Sequence, residues 1–223
     1  MSMTTRKLAA SAVAAALLAS VATTALAAET VPGAVYSDSQ AAGANKPAPK
    51  VKEDLEKAGI KDVAPEHYAA GSITVLVESG LLKPDAEGKL EPEASLNTGD
   101  GVAIFAKVLG IASKEDSTDA ALTKAKEAGL LTPTASAESD LPRVEVARML
   151  AKALGAQPKT ITSAADYPFA DYESTSPEDR GILAALYELG IFKGFEDKTF
   201  RPDAILTKAQ IAILIDRILG AGK

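Results

Sequence analysis

The stretch "GIFKGFEDKTFRPDAILTKAQIAILIDRILG", residues 190–220, decides the fold. Its first glycine follows an apolar set at helical spacing, Leu183, Leu186, Tyr187 and Leu189, and so reads as a helix stop. A loop crowded with Gly194, Phe195, Asp197, Phe200 and Pro202 comes next. Thr207 then offers a capping hydroxyl to a second helix, whose apolar stripe is Ile211, Leu214, Ile215, Ile218 and Leu219. A second glycine, Gly220, is expected to end that helix.

The same unit recurs twice upstream. "ESGLL" at 78–82 and "EAGLL" at 127–131 parallel "ELGIF" at 188–192, while "FAKVLG" at 105–110 and "LAKALG" at 150–155 parallel "IDRILG" at 215–220. The two glycines lie 30 positions apart in the first and third copies and 26 in the second, which has a shortened loop. Asn97 caps the second helix of the first copy, and Pro142 stands at the start of the second copy's. A helix-loop-helix of this size cannot bury its own apolar face, so the copies must share a core. The spacing predicts an all-α domain divided at 52–110, 111–156 and 157–220, with a short linker between the second and third copies.

The rest of the chain is different in kind. Residues 1–27 combine Arg6 and Lys7, an Ala-, Val- and Leu-rich run and a closing Ala25-Leu26-Ala27, the pattern of a secretory signal peptide. Residues 28–51 are rich in Pro, Gly, Ala and Ser and read as a flexible leader. Without the signal peptide, 22 cations stand against 30 anions and the net charge goes from −6 to −8. That balance argues against a general nucleic-acid binder. No cysteine is present, which excludes disulfides and thiolate metal sites, and the single histidine, His67, leaves no material for a histidine metal cluster. The Asp197 loop lacks the spaced oxygen ligands of an EF-hand, so no metal and no cofactor is expected. Carboxylate pairs such as Glu173 with Asp179 read as solvated charge rather than as glycosidase machinery, and the chain reads as a non-enzyme.

The third copy, with Phe169-Ala170-Asp171 before its first helix, closely resembles the S-layer homology domain. The first copy adds "KDVAPEHYAAGSI", in which His67-Tyr68-Ala69 stands where the family has His-Trp-Ala, and the second is a degenerate match carried by "LPRVEVARMLAKALG". The resemblance implies a three-pronged pseudo-trimer of repeats around a central helical bundle. It also implies a secreted protein at the cell wall or S-layer that binds anionic, pyruvylated polysaccharide linked to peptidoglycan, with self-assembly or a protein-scaffold role as the alternative. The family's Thr-Arg-Ala-Glu motif at the start of each second helix faces the ketal carboxylate. Its counterparts are Thr207-Lys208-Ala209-Gln210 in the third copy and Pro142-Arg143-Val144-Glu145 in the second, while the first copy has Asn97-Thr98-Gly99-Asp100 and no cation. The implied polysaccharide-binding set is therefore Arg143, Glu145, Thr207, Lys208 and Gln210, with His67 and Tyr68 from the opening helix and Lys193, Gly194 and Phe195 from the loop. Independently of the family, a helix start attracts carboxylates through its unpaired N–H groups, and a neighbouring arginine can add two parallel hydrogen bonds.

Overall fold

A computed structural model describes residues 48–221. The signal peptide read at 1–27 and nearly all of the leader lie outside the described residues. Within them run seven α-helices: α1 (Ala48–Lys57), α2 (Ala70–Glu78), α3 (Thr98–Val108), α4 (Thr118–Glu127), α5 (Arg143–Leu154), α6 (Pro177–Glu188) and α7 (Lys208–Ala221). No strand occurs among the described residues, so the fold is all-α. None of these helices is long and apolar enough to cross a membrane. Helix α1 begins inside the last residues of the leader as read from sequence, because Val51 and Leu55 are buried in the common core.

The helix boundaries have local causes. Ser176 accepts the Asp179 N–H ahead of α6, with Pro177 preset for the first turn, and Ser117 and Asn97 cap α4 and α3 in the same way. Gly80, Gly129 and Gly190 adopt positive φ after the first helix of each unit, as expected of a C-terminal stop. Gly220 departs from that expectation: α7 runs through it to Ala221, its last turn lying beyond the core, where Leu219 and Gly220 are exposed.

The helices pack chiefly between units, with α1 set against α2 inside the first. Helix α3 of the first unit pairs with α4 of the second, α5 of the second pairs with α6 of the third, and α7 of the third pairs with α2 of the first. The last unit thus closes on the first. Phe105, Met149, Leu150, Leu183, Leu186, Ile211, Leu214 and Ile215 join one core, and burying each large side chain of this kind contributes about 1.5–3 kcal/mol.

Closure is drawn tight where the second helices begin. Ser95 pairs with Thr207, Asn97 with Asp140 and Pro142 with Ile205, three isolated bridges that run from unit to unit around the centre. Each helix start also gives its first two N–H groups to the neighbouring loop. Lys208 and Ala209 donate to the carbonyls of Ala94 and Pro92, Arg143 and Val144 to those of Ala204 and Pro202, and Thr98 and Gly99 to those of Ser139 and Ala137. The helix starts are therefore built into three seams: second–third, third–first and first–second.

Candidate functional site

Each seam sets a helix start over the loop of the next unit, and two loops share one support. Asp171 accepts the N–H groups of Phe200 (2.8 Å) and Arg201 (2.7 Å). Asp62 does the same for Leu90 (2.9 Å) and Glu91 (2.7 Å). Burial works against the ionised form of Asp62, but the two amides outweigh it and hold the carboxyl below its ordinary range. Phe200 and Leu90 plug the core beside these clamps, and Arg201 and Glu91 follow with φ of 58° and 51°.

In the second–third seam Arg143 is 0 % exposed. Its guanidinium lies 4.7, 5.0 and 4.8 Å from the ring centroids of Phe192, Phe195 and Phe200. Such desolvated cation–π contacts help to hold a buried charge. The other side of the seam is open. Arg201 places its guanidinium 4.1 Å from the Phe195 centroid and donates to Asp197 (2.9 Å) and Thr199 (3.0 Å), with its side chain 51 % exposed. The Thr199 hydroxyl first, and Arg201 second, hold the Asp197 carboxyl at about 2. Gly194 is buried at φ 77°, and a β-carbon there would stand 2.9 Å from the Phe169 ring and from the Thr199 carbonyl. Lys193 is exposed beside it. Glu145 binds Arg148 at 2.6 Å, and Arg148 in turn forks onto Asp179 of α6 at 2.7 and 2.8 Å.

The third–first seam collects the other candidates. His67 and Tyr68 stack with centroids 4.5 Å apart. The His67 Nδ1 accepts the Ala69 N–H, so the ring proton lies on Nε2, 3.0 Å from the Glu93 carboxylate. Tyr68 reaches both Glu93 and Thr207, and burial, reinforced by Glu93, pushes its phenol up to about 12. Lys208 donates to the Leu90 carbonyl at 2.9 Å and stands 3.7 Å from Glu91, its side chain 22 % exposed. Gln210 folds back to accept the Thr207 N–H while its own N–H donates to the Thr207 hydroxyl. In the first–second seam the cation's place is taken by buried Thr98, whose hydroxyl lies 3.0 Å from that of Ser139 and donates to the Asp140 carbonyl.

The ten residues singled out in the sequence are thus divided between two seams. Residues 168–212 match the family model of the S-layer homology domain. The chain carries an S-layer homology domain. No curated protein matches the chain. The matched stretch includes Asp171, the whole loop and the first turn of α7, so the S-layer homology domain supplies the loop of one seam and the helix start of another. Such domains are binding modules of cell-surface and cell-wall proteins rather than catalysts.

Two expectations about this site change. The helix starts do not offer their first N–H groups to a ligand, because the adjoining loops take them. Arg143 presents no face to solvent, because three phenyl rings enclose it. Sequence reasoning also passed over Arg201, Asp171 and Asp62. The aspartates left one signal, an Asp before the opening helix of each of the two better copies, Asp62 and Asp171; Arg201 left none, because its counterpart Glu91 has the opposite charge.

Proposed function

We propose that the protein is a secreted, non-catalytic component of the cell surface that holds an anionic wall polysaccharide, of the pyruvylated secondary type, in the seams of a three-pronged set of S-layer homology repeats. The observation that carries this reading is the stack of Phe195 and Arg201, inside the matched stretch, on the buried Arg143 of the preceding unit. The partly exposed Phe195 ring, stacked with both guanidiniums, can border a sugar, and the exposed Arg201 guanidinium on it can meet a ketal carboxylate with two parallel hydrogen bonds. Lys193 and Gly194 border that face, and Glu145 stays engaged with Arg148. In the third–first seam, Lys208, Thr207, His67 and Tyr68 line the corresponding groove beside the carboxylates of Glu91 and Glu93, with Gln210 fixing the helix start.

The test is retention of the chain on purified Gram-positive cell walls, before and after acid removal of ketal pyruvate. Retention that falls at least tenfold on removal supports the reading. Equal retention by both preparations, or by neither, sinks the pyruvate mechanism. A scaffold for self-assembly is the second reading, and the commitment of all three helix starts to neighbouring loops favours it. It predicts concentration-dependent assembly in sedimentation velocity with no wall retention.

A further inference from the structure

Two positions that do the same structural job carry opposite charges. Glu91 and Arg201 each follow a buried plug, Leu90 or Phe200, and each gives its N–H to an aspartate clamp, at 2.7 Å in both cases. Each has a left-handed backbone, and each precedes a proline whose carbonyl accepts the second N–H of the neighbouring helix. Glycine meets a left-handed backbone at least cost, and a long side chain held there costs of order 1 kcal/mol. Both positions nevertheless carry a charged side chain at the rim of its seam, Arg201 at 51 % exposure and Glu91 at 67 %.

We propose that this left-handed residue sets the sign of its groove and so decides which groove takes an anionic saccharide: Arg201 opens the second–third seam to it, and Glu91 closes the third–first seam. The inference rests on the wall-polysaccharide reading above. In the second–third seam the buried Arg143 is a positioning residue. It holds Phe195 from below, and Arg201 lies on the same ring as the cation that a ligand can reach. In the third–first seam the loop offers Asp85 where the other has Phe195, and Glu91 stands within 3.7 Å of Lys208, in the place an incoming carboxylate would need. Glu93 adds a second negative charge against His67 and Tyr68. A carboxylate approaching Lys208 therefore meets Glu91 and Glu93, whereas one approaching Phe195 meets the Arg201 guanidinium, which it shares with Asp197 on Nη2.

The experiment measures the apparent Kd of the full chain for pyruvylated Gram-positive walls, with urea midpoints for every variant. Arg201→Glu is expected to raise the Kd tenfold or more, as loss of a charge-assisted contact does, and Arg201→Lys to fall between it and the parent. Glu91→Arg is expected to tighten binding several-fold by releasing Lys208. Arg143→Lys is expected to lower the urea midpoint and weaken binding together, as a residue acting through Phe195 should. Pyruvate-dependent binding that Arg201→Glu leaves within twofold overturns the proposal. Should Arg201→Glu shift the urea midpoint and obscure that comparison, Glu91→Arg decides, and binding that it fails to tighten overturns the proposal. Parent binding that survives removal of ketal pyruvate overturns the wall-polysaccharide reading and the sign rule with it. Pyruvate dependence with no response at position 201 or 91 overturns the sign rule alone.

Discussion

Replacing Asp171 with alanine should unclamp the loop that the whole second–third seam rests on. The carboxylate accepts two backbone N–H groups, that of Phe200 at 2.8 Å in a partly buried place and that of Arg201 at 2.7 Å near solvent. A hydrogen bond to a charged group contributes about 1.5–3 kcal/mol when shielded, and the exposed one about 0.5–1 kcal/mol. The loss is then about 2–4 kcal/mol. With a urea m-value of about 2 kcal/mol/M, the unfolding midpoint should fall by about 1–2 M at constant m. Asp171→Asn retains one carbonyl acceptor and should show about half the effect. Asp203→Ala, on the exposed flank of the same loop, should move stability by less than about 0.5 kcal/mol. An Asp171→Ala loss below about 1 kcal/mol, or one no larger than that of Asp203→Ala, would refute the clamp as the loop's support.

The α5–α6 pairing should be pH-sensitive through Asp179. Burial pushes that carboxyl up, but Arg148 and Ser176 outweigh it and hold its pKa below the ordinary value of about 3.9. A depressed native pKa stabilises above the unfolded value and ceases to as pH falls through the native one. Arg148→Met should therefore cost about 1–3 kcal/mol at pH 7, discounted for the half-exposed guanidinium, and the gap from the parent should close below pH 4 in acid-unfolding curves. At the alkaline end Tyr68 and Tyr167 are both pushed up to about 12, chiefly by burial. Their contribution is complete below about pH 10 and is lost as pH rises through 12. Absorbance titration at 295 nm should show a late tyrosinate step that shrinks in Tyr68→Phe, and a Tyr68 titrating with the early phase would contradict its burial against Glu93 and Thr207.

The sequence by itself determined what is local. The glycine stops at Gly80, Gly129 and Gly190 follow from the cost of a left-handed backbone at a residue with a β-carbon, and the caps at Asn97 and Ser176 from side-chain oxygens within three residues of the N–H they bind. The repeat follows from apolar faces too small to be buried singly. These are short-range rules, which a linear pattern can carry, and they place the helix-loop-helix units and the candidate residues in each.

Only the tertiary structure decided what those residues face. The Arg143 guanidinium meets rings 49 to 57 positions away, Lys208 donates to a carbonyl 118 positions away, and Asp171 holds an amide 30 positions on. A motif read along the chain makes Arg143 and Lys208 equivalent cations at equivalent helix starts. Packing makes one of them a buried plug under three phenyl rings and leaves the other at a partly open rim beside Glu91. The reason is that each helix start is completed by the loop of the next unit, so its chemistry belongs to the partner loop as much as to itself.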